Sequence, residues 1–188
     1  MDALGLVRQD HRRLEALLER CERIDHHDAE ERTALLAQLN TALRHHVDEE
    51  ESLLYPAYPL PDRTLLTRGT EQHRLITTLA GELATTPPDA STFQPKLHAL
   101  ATHIRAHLTV EDATLLTALE ALLDDQSLLD LGRRLEDRKR VVASQESLIA
   151  TTALLRRPRT ILKVGLAATA ALAAITFAIT RRRTASGR

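Results

Sequence analysis

The sequence predicts an all-α protein: an up-down-up-down four-helix bundle followed by an extra helix and a C-terminal hydrophobic transmembrane helix. Three observations carry this. Aromatic residues make up only 2% of a chain rich in Leu, Ala, Glu and Arg, a composition typical of helical architectures. Apolar residues recur at alternating three- and four-residue steps in four separate segments. Prolines and capping residues stand between those segments.

The first helix carries Leu4, Val7, His11, Leu14, Leu18 and Cys21 on one stripe, so His11 faces a partner helix. The second opens on a capping box of Asp28 and Glu31, carries Leu36, Leu39, Leu43, His46, Glu50 and Leu53, and is closed by Pro56, Pro59 and Pro61. The third carries Leu66, His73, Ile76, Ala80 and Leu83, and Pro87 and Pro88 divide it from the fourth. The fourth, with Ser91 and Gln94 as its cap, carries Leu97, Leu100, Ile104, His107, Glu111 and Ala118 and ends near Leu123. Short connections make successive helices antiparallel, and the bundle domain is expected at 1–125. The spacing His-x-x-x-Glu falls in the second and fourth helices, which points to an internal two-fold repeat of a helix pair.

Beyond the bundle the helical pattern continues, with Leu128, Leu131, Leu135, Val142 and Ile149 on a sparse stripe crowded by Arg134, Glu136, Arg138 and Arg140. That is too polar for another full bundle member, so 126–159 is expected to be a helical spacer. Packing on the outside of the bundle and a homo-oligomer contact through 127–155 remain open. From Val164 to Thr180 there is no charged residue, a run at the short end of what spans a bilayer, and Ile161 and Leu162 lengthen it if Lys163 snorkels. A transmembrane anchor is therefore expected at 160–181, with a basic tail at 182–188; a soluble Ala-rich helix in a dimer interface is the alternative. Arginines on both sides of the run leave its orientation open. No signal peptide precedes the first helix and the lone Cys21 cannot form an internal disulfide, so the expected location is the membrane, with a single C-terminal span and the bundle in the reducing cytoplasm. The net charge of −1 gives no argument for nucleic acid.

The chemistry lies on the inward seams. A histidine and a glutamate four residues apart share one helix face and lean the same way, so His46 with Glu50 and His107 with Glu111 can each reach one cluster. A buried glutamate without a partner costs several kcal/mol or is forced neutral, and no lysine or arginine lies on these seams near either one. One histidine on an apolar face is more often a satisfied core residue than a ligand. Four at once, two with glutamates, form a ligand set for two metal ions: His11, His46, Glu50, His73, His107 and Glu111. Imidazole nitrogen and carboxylate oxygen suit iron or manganese, whereas structural zinc usually recruits thiolate. His26, His27, His45 and His98 read as solvated, Cys21 as a small core residue, and His103 as an outer-shell candidate. Glu51, Asp112 and Tyr55 read as surface or helix-end residues.

His11, the stretch His46-Val-Asp-Glu-Glu50-Glu-Ser-Leu-Leu-Tyr-Pro56, Glu71-Gln-His73 and His107-Leu-Thr-Val-Glu111-Asp resemble the hemerythrin-like (HHE cation-binding) family over roughly the first 123 residues. The resemblance implies a non-haem di-iron centre: two iron ions, oxo- or hydroxo-bridged, with Glu50 and Glu111 bridging and His11, His46, His73 and His107 terminal. The chain departs from oxygen-carrying members at Thr77, where they bear a further histidine, and at Thr117, where a proline is typical. The missing histidine leaves coordination positions open, better suited to reacting with oxygen, nitric oxide or peroxide than to clean reversible storage. The leading expectation is a membrane-tethered di-iron protein that binds or senses oxygen, nitric oxide or redox state, its partner being a small diatomic or peroxide ligand. The others are an enzyme that consumes peroxide or nitric oxide or donates iron for cluster repair, and a metal-stapled or iron-buffering adaptor.

Overall fold

The computed structural model describes residues 1–24 and 29–156. Among these there are five helices and no strand. Helix α1 is Ala3–Arg23 and starts on Asp2, whose side chain accepts from the Gly5 amide at 2.7 Å, satisfying one of the free N–H groups of a helix start. Helix α2 is Ala29–Glu49 and continues through a π-helical turn, Glu50–Leu54, and a last turn, Tyr55–Ala57. Helix α3 is Thr64–Ala84. Helix α4 is Phe93–Glu111 and likewise continues through a π-helical turn, Asp112–Leu116, into Thr117–Leu122. Helix α5 is Asp125–Arg156. Helix α4 starts after Thr92, which gives no side-chain cap, one residue later than a cap on Ser91 implies; Asp28 of the other expected box lies outside the described residues.

The first four helices close a ring in which α1 meets α2, α2 meets α3, α3 meets α4 and α4 meets α1. Their inward residues form three layers. One apolar layer holds Leu14, Leu18, Leu39, Leu43, Ile76, Leu83, Leu97 and Ile104. The other holds Leu4, Val7, Leu54, Leu66, Leu116 and Leu119. In α1, α2 and α3 the seam histidine stands in sequence between the contributions to the two apolar layers, and in α4 His107 and Glu111 precede Leu115 of the second layer, so the polar residues make the layer between them.

The π-helical turns move the seam. An i→i+5 turn takes in one extra residue, so after it the inward position is one residue later than a 3.6-residue period gives. Leu53 and Ala118, expected inward, are only partly buried, while Leu54 and Leu119 are both 0% exposed.

Helix α5 departs from the expected spacer. The first compact unit runs from Met1 to Ser144, past the boundary expected at 125, because Leu128, Leu131 and Leu135 complete the second apolar layer. Gly132 permits this approach: a Cβ there would lie 2.6 Å from the Met1 carbonyl oxygen. Arg138, one of the charges crowding the stripe, and its neighbour Lys139 are consumed by pairing with the bundle. Arg138 donates two bonds to Asp48, at 2.7 and 2.8 Å, and Lys139 pairs with Asp10 and, at 3.0 Å, with the buried Glu49. The remaining turns of α5 belong to a second unit, Gln145–Arg188. The expected transmembrane run lies outside the described residues, and among those described no helix is long and apolar enough to cross a membrane.

If α5 is part of the bundle, Leu135→Ala should destabilise it by about 2–5 kcal/mol, as for other fully buried leucines. Urea unfolding of the two proteins, metal-free, measures this; a change under about 0.5 kcal/mol, the range of surface substitutions, would mean that α5 is a spacer after all.

Candidate metal centre

The structure brings all six predicted residues into the middle layer, and each is buried. His46 and Glu50 come from α2, His107 and Glu111 from α4, and His11 and His73 from the two helices between those pairs. His46, Glu50, His73 and His107 offer four ligand atoms within 4.8 Å of one another, and so do His11, His46, Glu50 and Glu111. The two groups share His46 and Glu50. Nε2 of His107 lies 3.3 Å from Nε2 of His46 and 3.1 Å from Nε2 of His73. With metal–nitrogen bonds of about 2.1 Å, nitrogens on one ion stand roughly 3.0–3.4 Å apart, so this spacing fits a shared cation.

The oxygens make the same case. Both carboxylate oxygens of Glu50, both of Glu111, and Nε2 of His11 are buried without a hydrogen-bond partner. Leaving so many polar atoms unsatisfied is costly, and a cation among them would satisfy them together. Glu50 contacts the histidine of its own helix and reaches toward two others, with Oε1 3.1 Å from His46 Nδ1 and 3.8 Å from His11 Nε2, and Oε2 3.2 Å from His73 Nε2. Glu111 Oε2 lies 3.3 Å from His107 Nε2 and 3.5 Å from His11 Nε2.

Without metal the cluster must hold protons. Burial, followed by repulsion from Glu111, raises the Glu50 carboxyl well above its ordinary value. Burial opposes the charge on His11, but its contacts with Glu111 and Glu50 outweigh that and raise it to about 10. Burial pushes His107 down to about 4, and His46 well below its ordinary value. Glu111 is lowered to about 2: burial raises it, but His11 foremost and then the other histidines lower it further. The metal-free cluster is thus a charged His11–Glu111 pair beside a neutral Glu50, with His46 and His107 already in the form that binds metal.

The ring of groups around the cluster orients the histidines. Nδ1 of His11 donates to Asp112 Oδ1 at 3.1 Å, Nδ1 of His73 to Glu51 Oε1 at 2.9 Å, and Nδ1 of His107 to Gln72 Oε1 at 3.2 Å. A proton fixed on Nδ1 leaves Nε2 as the ligand atom. Tyr55 stacks on His73 with its ring 8° from parallel. These four groups were not legible as functional. Asp112 and Glu51 read as surface or helix-end residues from the sequence, and their side chains are indeed 47% and 38% exposed, yet each follows a seam glutamate directly and opens or enters a π-helical turn, and that repetition was the available signal. His98 and His103 point to solvent and His45 is half-buried, so none joins the cluster and His103 is no outer-shell group. His26 and His27 lie outside the described residues.

Two outcomes follow. Asp112→Asn and Glu51→Gln should each weaken metal affinity by about 10–100-fold without unfolding the bundle, measured by competition with a chelator; unchanged affinity in both would deny them an orienting role. Metal binding should release protons at pH 7, from His11 and Glu50, so affinity should rise with pH through neutrality and level off only as pH approaches 10. Calorimetry in buffers of different ionisation enthalpy counts those protons, and affinity flat between pH 6 and 8 would contradict the assigned proton positions.

Comparison with known proteins agrees with this geometry. The family model described as the hemerythrin HHE cation binding domain matches residues 2–119. No curated protein matches the sequence. Among solved structures, a hemerythrin HHE cation binding domain-containing protein of Mycobacterium kansasii, a Rv2633c homolog, superposes with a TM-score of 0.70 at 23% identity, covering 85% of this chain and 95% of its own. That likeness is one of fold; the family assignment rests on the model match over most of the bundle. The chain belongs to the hemerythrin HHE cation binding domain family.

Proposed function

We propose that the protein is a non-haem di-iron protein that binds or senses a small ligand, oxygen, nitric oxide or peroxide, and that a C-terminal span at 160–181 tethers it to a membrane with the bundle in the cytoplasm. The observation that carries the iron reading is the pair of overlapping four-ligand groups sharing Glu50 and His46, with both glutamates otherwise unpartnered. His11, His46, His73 and His107 would hold the irons through nitrogen and Glu50 and Glu111 through oxygen. Such a centre supplies one-electron chemistry and open coordination positions for a diatomic or peroxide ligand.

The protein's own residues set how that ligand is met. Thr77, at the position where oxygen carriers have another histidine, donates its hydroxyl to the His73 carbonyl at 2.7 Å, so it is turned to its own helix and would supply no ligand to a bound metal. Asp112 and Glu51 hold protons on His11 and His73 at the boundary with solvent. The sensing form is supported by α5, which clasps Asp48 and Glu49, the two residues before the ligand Glu50, so displacement of Glu50 bears on the helix that leads toward the C terminus. The tether is supported by the uncharged run Val164–Thr180 with arginines on either side.

An enzyme consuming peroxide or nitric oxide is the second reading, favoured by the same unligated position at Thr77. The full chain, loaded anaerobically with Fe(II), should hold two irons and gain visible absorption on exposure to air, and His46→Ala should lose both. No bound iron, or iron held no better than zinc, would end the di-iron reading, and peroxide turnover lost in His46→Ala would promote the enzyme. For the tether, the full chain should float with liposomes and a chain ended after Ser144 should not; sedimentation of both without lipid would reject the anchor.

A further inference from the structure

Between α3 and α4 a cavity of about 290 Å³ opens from the surface and ends on Glu111. Oxygen, nitric oxide and peroxide are far too small for it. An engineered apolar cavity of about 150 Å³ accommodates benzene, so this one takes a molecule of roughly ten to twelve non-hydrogen atoms. Its walls are Leu65, Val110 and Leu115 with the polar Gln72 and Thr114, and the Tyr55 ring lies on one side. Gly69 makes room for that ring: a Cβ at 69 would lie 2.2 Å from the Tyr55 hydroxyl oxygen. The one cation in the lining, Arg68, makes no hydrogen bond or ion pair among the described residues. A mostly apolar lining with one unpaired guanidinium is the mark of a ligand pocket with a defined polarity.

We propose that this cavity binds a small amphipathic organic acid, its carboxylate on Arg68 and its apolar body along Leu65, Val110 and Leu115. The acid is the substrate or effector class of the centre described above. That it meets a reacting centre there rests on the di-iron reading, whereas its binding does not.

Octanoate, of about ten non-hydrogen atoms, is the probe, with octanamide as its uncharged counterpart. Calorimetric titration of the full chain, both metal-free and iron-loaded, should show saturable one-to-one binding of octanoate. Val110→Trp, a substitution at a half-exposed position that fills the cavity, should weaken it at least about tenfold, and Arg68→Gln should weaken octanoate about tenfold while leaving octanamide unchanged. No saturable octanoate binding, or equal binding to Val110→Trp, overturns the pocket; equal affinity for octanoate and octanamide in the unsubstituted protein overturns the role of Arg68. Iron counted on the same samples keeps the two readings apart, because a chain that binds octanoate but no iron retains the pocket and loses the centre.

Discussion

Two carboxylates buried side by side are the constraint around which this bundle is arranged. Two ionised carboxylates could not stand together in an apolar interior without a cation, and among the described residues no lysine or arginine side chain reaches them. What surrounds them instead is four imidazoles, one from each helix of the ring. The apolar layers on either side hold the helices at the separation this cluster needs and exclude water from it. Proton and metal therefore compete for the same atoms: with no cation present, His11 and Glu50 take up the protons that make the burial tolerable.

The support around the cluster repeats with the fold. Helix α2 contributes a histidine, a glutamate and the next acid, Glu51; α4 contributes the same three, ending in Asp112. Each of those acids reaches across to the histidine of a neighbouring single-ligand helix, Glu51 to His73 and Asp112 to His11. The repeat is not complete, because Gln72 orients His107 while His46 faces Glu50 through Nδ1. The two halves of the cluster are thus chemically unequal, and the cavity that reaches Glu111 opens on only one of them.

Much of this was legible in the sequence because helix seams obey a simple period. The inward histidines and glutamates, the layer they occupy and the ring of four helices all follow from three- and four-residue steps. Legibility failed where that period failed. Leu53 and Ala118 were placed inward by a rule that does not hold beyond a π-helical turn. Asp112 and Glu51 sit on outward positions by the same rule and act inward only because the backbone widens beside them. Helix α5 was underestimated for another reason: its charges look like a solvated face, and nothing local to Arg138 or Lys139 shows that Asp48, Asp10 and Glu49 lie opposite them.

The π-helical turns also bear on how chains of this kind can change length. Each adds one residue to a helix, and a residue corresponds to about 100° of helical rotation. Deleting one from Glu50–Leu54 would turn Tyr55 off His73 and carry Leu54 out of the apolar layer, although the cut would fall near the end of a helix where length variation is usually tolerated. An alignment that closes up this segment as ordinary α-helix would put every residue after it on the wrong face, so a gap there marks a change in architecture rather than a neutral trim.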